Sequence, residues 1–197
     1  MALGLLLTLG GCGKNPPAAT GPRSVAPTPI SQLNTGALQL ARLEFCDLVP
    51  VEAVRDALGG GGAGSEKAWR NGDPAEVENG VNDVVHEYGC SWSRTGFAAS
   101  AWVYARSVTH RYAQGVIDKT SRRRGCTSTK GPGFGTPSQR QVCDLLDGSH
   151  RVRISGLFGD DWLSCEASGP AGQSADAVGK RADAWCVQVA NATNTSR

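Results

Sequence analysis

Residues Gln141–Ser168 set the architecture of the domain, and they read QVCDLLDGSHRVRISGLFGDDWLSCEAS. Two short turn signals, Gly148-Ser149 and Gly159-Asp160, divide this stretch into three runs in which apolar and polar residues alternate. Alternation of this kind between turn residues is typical of half-buried antiparallel strands. The stretch therefore predicts a three-stranded meander with strands at Gln141–Leu146, Arg151–Phe158 and Asp161–Ser168.

The two turns also predict how the meander strands are aligned. If each turn is centred on the pair named above, Cys143 lies opposite Ile154, and Ile154 lies opposite Cys165. These three residues would then form one row toward the core. The same face would hold Leu145, Val152, Phe158 and Leu163.

Helices and a hairpin surround this meander. Residues Val85–Ser93 and Ala98–Arg106 predict two strands joined by a turn at Arg94–Gly96. Helices are predicted at Pro50–Leu58, Thr109–Arg123 and Ala175–Asn191. The last of these carries an apolar stripe of Val178, Ala182, Trp185, Cys186 and Val189. Helices before, between and after hairpins predict an α+β domain, with an antiparallel sheet of about five strands packed against helices.

The N-terminus has the features of a lipoprotein signal peptide. An apolar segment, Met1–Leu9, is followed at once by Gly10-Gly11-Cys12. Lipoprotein signal peptidase requires small residues before a cysteine that has already received diacylglycerol. The apolar segment is too short for a membrane-spanning helix, which needs about 20 residues. Residues 1–11 are therefore predicted to be a signal peptide, and Cys12 the lipidation site that also carries palmitate.

Composition divides the rest of the chain. Residues 12–39 are rich in Pro, Ala, Thr, Ser, Gly and Asn without apolar periodicity, so they predict a lipidated, disordered stalk. Residues 40–192 are predicted to form one extracytoplasmic domain and residues 193–197 a disordered tail. The expected location is the extracytoplasmic face of the cell membrane, which the chain would reach through its N-terminal lipid.

Six cysteines remain after Cys12, and they are Cys46, Cys90, Cys126, Cys143, Cys165 and Cys186. An even number outside the cytoplasm predicts three disulfides. A metal site is disfavoured because no Cys-x-x-Cys pair is present and the three histidines are scattered. No metal and no other cofactor is predicted.

Strand spacing restricts how these cysteines can pair. Cys143 and Cys165 would be separated by the middle meander strand, about 9.6 Å apart at two strand spacings. A disulfide requires Cα atoms within about 7 Å, so these two cannot bond. Cys165 is then predicted to pair with Cys186 on the C-terminal helix and Cys143 with Cys126, which leaves Cys46 with Cys90.

The region around the first disulfide resembles a known family. A cysteine before a Leu-x-Pro helix start (Phe45–Val54), a glycine-rich break, and then Gly89-Cys90-Ser91-Trp92 resemble the actinobacterial lipoproteins of domain-of-unknown-function family thirty-five fifty-eight. The resemblance covers roughly residues 40 to 190. It implies an envelope lipoprotein without an assigned activity, and a sheet-and-helix fold like that of the photosystem-associated PsbP proteins.

No catalytic constellation is visible in the sequence. The glycines at 59–64 lack the Gly-Lys-Ser/Thr ending of a phosphate loop, and there is no Gly-x-Ser-x-Gly motif. We therefore predict that the chain is not an enzyme and assign no catalytic residue. A net charge of +2 is too small to indicate nucleic acid, and Arg122–Arg124 is typical of a solvated helix end.

The face of the sheet turned away from the core row is the most suggestive feature. It is expected to hold Trp102, Tyr104, Arg106, Arg151, Arg153, Trp162, Ser164 and Glu166. Aromatic residues beside arginines could bind an anionic or glycan-like ligand or a protein partner. The candidate ligand-binding residues are Trp102, Tyr104, Arg151, Arg153 and Trp162. The alternative is that the predicted helix Thr109–Arg123 simply covers them.

Three functions follow from these patterns. The first is a non-enzymatic, lipid-anchored binding or accessory module of the cell envelope, with an envelope protein or a glycan as partner. The second is a structural or interaction subunit of an envelope complex that has no ligand of its own. The third is a hydrolase whose site has no recognisable motif, and a cluster of strongly perturbed titrating groups in a cleft would favour it.

Overall fold

The computed structural model describes residues 28–62, 64–78 and 81–196. The predicted signal peptide, Cys12 and the first part of the predicted stalk lie outside these ranges. Among the described residues, no helix has the length and apolar character needed to cross a membrane.

Along the described chain, the three α-helices stand before, between and after two runs of strands. The strands are β1 (Ser65–Trp69), β2 (Pro74–Glu78), β3 (Val81–Val84), β4 (Glu87–Arg94), β5 (Phe97–Tyr104), β6 (Cys126–Lys130), β7 (Ser138–Asp144), β8 (His150–Phe158) and β9 (Asp161–Gly169). The α-helices are α1 (Val51–Ala57), α2 (His110–Thr120) and α3 (Ala175–Ala192). Short 3₁₀ turns lie at Ile30–Gln32, Thr35–Ala37 and Cys46–Leu48.

The strands form a seven-stranded antiparallel sheet in the order β1-β4-β5-β9-β8-β7-β6, and β2 and β3 form a separate hairpin. The predicted α+β class is confirmed, but the predicted number of strands was too low. The two strands that the sequence did not predict in this sheet, β1 and β6, lie at its edges. Both are mostly polar (SEKAW and CTSTK), as is common for edge strands, so they lack the apolar alternation that marks a strand.

Helix α3 packs on one face of the sheet, which we call the α3 face. Its predicted apolar stripe is buried, and it meets Val152, Ile154 and Leu163 of the meander in one apolar core. The indole of Trp185 contacts that of Trp92 edge to face at 5.3 Å, and its Nε1 donates to the Ser100 carbonyl at 3.0 Å. The indole N–H is thus satisfied inside the core, which removes the cost of burying it.

The register of the meander differs from the prediction at one of its two turns. Ile154 lies opposite Cys165 as predicted, but Cys143 lies opposite Arg151 and not opposite Ile154. The difference is three residues, and an odd shift moves every side chain of a strand to the other face. Cys143 therefore faces away from α3. The cause is a five-residue connection in which Leu145 N donates to Ser149 O, which centres the turn on Asp147 and also removes Leu145 from the strand.

The three disulfides join the pairs that the sequence predicted. Their Cα–Cα distances are 5.7 Å for Cys46–Cys90, 4.0 Å for Cys126–Cys143 and 5.6 Å for Cys165–Cys186. Cys126 and Cys143 are directly opposite each other in the β6–β7 pair, so they bond across two adjacent strands. Strand β8 separates Cys143 from Cys165, as predicted, although Cys143 lies on the face opposite to the predicted one.

The ordered domain extends beyond both predicted boundaries. Ile30, which was assigned to the stalk, is only 6% exposed and belongs to the main core. At the other end Thr193 is buried, and Thr195 N donates to Gln39 O at 2.8 Å. The segment around Gln39 therefore binds the segment that follows α3. Composition does not predict this order, because a few buried apolar side chains are enough to hold a segment that is otherwise rich in Pro, Thr and Asn.

Candidate functional site

The sheet face opposite α3, which we call the open face, is only partly covered. Helix α2 lies over one end of it, where Val108, Ala113, Leu157 and Trp162 form a small second core. Trp162 is 1% exposed there, so the alternative that α2 covers the candidate residues holds for this one. Trp102, Tyr104, Arg151 and Arg153 are half-buried.

Two of the predicted arginines converge on one glutamate. Arg153 Nη2 lies 2.7 Å from Glu166 Oε2, and Arg151 Nε lies 3.8 Å from the same oxygen. The Arg153 guanidinium also stacks 4.8 Å from the Trp102 ring centroid. Burial lowers the pKa of the Arg151 guanidinium, and Glu166 opposes that effect. The arginines expected to receive an anion are therefore already held by a carboxylate on the same face.

A cleft of about 540 Å³ opens at the end of this face, where β4 and β5 meet the start of α2. We call it the tyrosine cleft. Its lining consists of His86, Glu87, Tyr104, Arg106, Ser107, Val108 and Tyr112. Of the five residues that the sequence proposed for ligand binding, only Tyr104 lies in it.

The backbone around the cleft is fixed by hydrogen bonds. Ala105 N donates to His86 O at 2.9 Å, and Val108 N donates to Asp160 O at 2.8 Å. The Thr109 hydroxyl accepts from Tyr112 N at 3.2 Å and so caps the first turn of α2. Because the segment between β5 and α2 is anchored on both sides, hydrogen bonds within the fold hold the shape of the cleft.

Glu87 is the carboxylate of the cleft, and β4–β5 pairing places it directly opposite Tyr104. Its Oε1 accepts a hydrogen bond from Trp69 Nε1 at 3.0 Å. The Trp69 indole packs over Gly89, where a Cβ would collide with the ring, so a glycine at 89 is what allows this contact. Glu87 takes part in none of the ion pairs found among the described residues.

Burial governs the ionisation of this pair. Desolvation raises the pKa of Glu87, and the Trp69 hydrogen bond and the charge of Arg153 oppose it. Desolvation, with smaller contributions from Glu87 and Tyr112, raises the pKa of Tyr104 to about 12. Tyr104 therefore stays a neutral hydroxyl at physiological pH, beside a carboxyl group that makes no ion pair with any of the described residues.

The rim of the cleft is polar and accessible. His86 and Arg106 are exposed, and Tyr112 is 59% exposed. The sequence pointed to neither Glu87 nor Tyr112 as a site residue. The turn at Arg94–Gly96, aligned with Arg94 opposite Phe97, would have placed Glu87 beside Tyr104. Tyr112 lies on the predicted helix Thr109–Arg123, for which the sequence predicts only the role of covering the sheet.

The cleft lacks the pairing that nucleophilic catalysis needs. Ser107 and His86 both line it, but no hydrogen bond joins them among the described residues, and Glu87 is the one carboxylate of the lining. Nor does any group of three or more His, Cys, Asp or Glu in the described ranges have an arrangement that could hold a metal ion.

Comparisons with known proteins give no relative for this arrangement. No protein-family model matches the chain, and a search of curated proteins found none with significant similarity. The resemblance to the actinobacterial lipoprotein family stays a prediction.

Proposed function

We propose that the chain is a lipid-anchored, extracytoplasmic binding module that has no enzymatic activity and holds its ligand in the tyrosine cleft. One observation carries this proposal, namely the half-buried carboxyl group of Glu87, which lines the cleft and makes no ion pair with any described residue. Keeping an ionisable group out of water costs free energy, so a group kept there without a charged partner within the fold commonly serves a ligand.

The anchoring part of the proposal rests on the sequence. Gly10-Gly11-Cys12 after an apolar segment supports lipidation at Cys12 and export across the cytoplasmic membrane. The ordered domain begins by Ile30, so about 18 residues would separate it from the lipid, with an end-to-end distance of roughly 24 Å for a flexible chain. That distance lets the cleft face other envelope components, of which a protein or a glycan is the proposed partner.

The family resemblance forms part of the same proposal. The segments Phe45–Val54 and Gly89–Trp92 support membership of the actinobacterial lipoprotein family, and with it a PsbP-like arrangement of sheet and helices. The disulfide Cys46–Cys90 joins these two segments, so the residues that carry the resemblance are neighbours in the fold.

A catalytic role has one observation in its favour. A carboxyl group with a raised pKa in a cleft is what a general acid requires. A glycosidase, however, needs a second carboxylate in the same cleft, and among the described residues Glu87 is the one that lines it. The geometry therefore favours binding over hydrolysis.

The proposal is tested by isolating the intact lipoprotein from its own membranes and identifying what is retained with it by mass spectrometry. We expect one compound or partner to be retained by the wild type and by Leu146→Ser, which changes an exposed loop residue. It should be lost from the cleft variants Tyr112→Ala and Glu87→Gln. Equal retention by all four proteins would show that the cleft does not carry the binding function.

A further inference from the structure

The two glutamates on the open face differ in how their charge is balanced. Glu166 is paired with Arg153 at 2.7 Å and lies 3.8 Å from Arg151 Nε, so its charge is offset within the fold. Glu87 takes part in none of the ion pairs among the described residues, and Arg153 acts on it through its charge without forming such a pair. Within the described part of the chain, its side chain accepts a hydrogen bond from the neutral indole of Trp69. A cation arriving from outside would therefore find its counter-charge at Glu87 and not at Glu166.

The surroundings of Glu87 suit an organic cation better than a hydrated metal ion. Tyr104 and Tyr112 line the same cleft, one contributed by β5 and the other by α2, and Val108 is buried beside them. Aromatic faces attract ammonium groups through the ring quadrupole, and the attraction increases when the ion loses its water. A metal ion would need more oxygen ligands than one carboxylate supplies.

We infer that the tyrosine cleft binds an organic ammonium group, with Glu87 as its counter-charge and Tyr104 and Tyr112 as its aromatic contacts. This inference rests on the proposed function and names the chemistry of the ligand. The ammonium group can belong to a free small molecule or to the end of a larger envelope component, because the cleft is open to solvent at His86 and Tyr112.

The rim adds a second requirement. Arg106 is exposed at the mouth of the cleft and has no ion-pair partner among the described residues. Water screens the repulsion between Arg106 and a cation bound deeper in the cleft. The Arg106 guanidinium can also bind an anionic group carried by the same ligand. A zwitterion with an ammonium group followed by an acidic group therefore fits the cleft better than a bare ammonium.

The experiment uses matched probes with the intact lipoprotein in detergent. Choline and ethanolamine present a quaternary and a primary ammonium, phosphocholine adds an anionic group, and 3,3-dimethyl-1-butanol has the shape of choline without its charge. Calorimetric titration should show choline or ethanolamine binding at least about tenfold more tightly than the neutral analogue. Phosphocholine should bind more tightly than choline, and Arg106→Ala should remove that difference.

Two carboxylate variants provide the control. Glu87→Gln keeps an oxygen that can accept from Trp69 but removes the charge, and it should weaken choline binding by about tenfold or more. Glu66→Gln makes the same change in a second glutamate–tryptophan pair, because Glu66 Oε2 accepts from Trp92 Nε1 at 2.9 Å outside the cleft. It should leave binding unchanged. Tyr112→Ala is a second cleft variant. Because Tyr112 is exposed on helix α2, this change should leave the folding of the sheet intact.

The outcomes separate this inference from the proposed function. If none of the ammonium probes binds, or if the neutral analogue binds as tightly as choline, the ammonium inference is wrong. The proposed function would still hold if the compound retained from native membranes is lost with Tyr112→Ala. If nothing retained from membranes depends on the cleft, the proposed function fails. Choline binding that is abolished by Glu87→Gln and kept by Glu66→Gln supports the ammonium inference, whether or not the proposed function holds.

Discussion

The two faces of the seven-stranded sheet differ in the polarity and the burial of their side chains. On the α3 face a large apolar core is buried between the sheet and α3, and the disulfide Cys165–Cys186 joins the sheet to the helix above it. On the open face, Trp102, Arg153 and Glu166 are half-buried and bound to one another. The stability of the domain therefore comes mainly from the α3 face, whereas the open face can hold polar groups whose partners are not all within the fold.

The largest test of this contrast is Trp185→Ala. It removes a buried indole from the centre of the α3 face and should lower the free energy of unfolding by about 3–5 kcal/mol. Tyr112→Ala removes a comparable aromatic side chain from the open face, where it is mostly exposed, and should cost well under 1 kcal/mol. Urea unfolding followed by circular dichroism measures both, and similar losses would contradict the division of roles between the faces.

The disulfides allow a second comparison of the two faces, because two of them close loops of similar length. Cys165–Cys186 spans 21 residues and Cys126–Cys143 spans 17, so loop entropy alone gives about 3 kcal/mol for each. Replacing both cysteines of a pair by alanine should then expose the difference between the faces. The first pair is fully buried under α3, so its loss should cost about 1 kcal/mol more through lost packing.

The measurement for these two double variants is urea unfolding with the midpoint and the slope both fitted, because loss of a disulfide expands the unfolded state and so changes the slope as well. If the Cys126–Cys143 variant were the less stable of the two, the α3 face would not be the main source of stability. Cys46–Cys90 spans 44 residues and stands as the reference, with about 4 kcal/mol expected from its longer loop.

The sequence predicted the α3 face well because that face is built from periodic patterns. The apolar stripe of α3 and the alternation in β8 and β9 each indicate which side chains are buried. The sequence failed where a single residue of turn length matters, as between β7 and β8, and where an edge strand is too polar to resemble a strand. Apolar periodicity indicates which side chains are buried, but it does not indicate how many residues a loop contains.

The candidate site was harder to predict for a related reason. Trp102, Arg151 and Arg153 were rightly placed on the open face, but their partner is Glu166, so they are not the groups that face the cleft. Glu87 becomes notable only after β4–β5 pairing and the packing of Trp69 over Gly89 deprive it of water. Desolvation depends on three-dimensional neighbours, so composition and spacing do not show it.

The smallest expected effect concerns Glu87 and the pH dependence of stability. Burial raises its pKa above the ordinary value of 4.5, so the folded protein holds this proton more tightly than the unfolded chain. The groups that act on it are Trp69 through a hydrogen bond and Arg153 through its charge, and both oppose the shift without cancelling it. The folded state consequently gains stability from the neutral carboxyl below pH 4.5 and loses that gain as the pH rises through the folded pKa.

Glu87→Gln removes this titration while keeping a side chain of the same size. The variant should therefore gain stability relative to the wild type between pH 4 and pH 8, as the carboxyl of the wild type becomes charged. Thermal unfolding of both proteins across this range gives the difference, and Glu66→Gln controls for the loss of a glutamate–tryptophan hydrogen bond. A difference of the opposite sign would mean that Glu87 is stabilised in its charged form by a cationic partner within the fold. The cleft would then have no counter-charge left for a ligand.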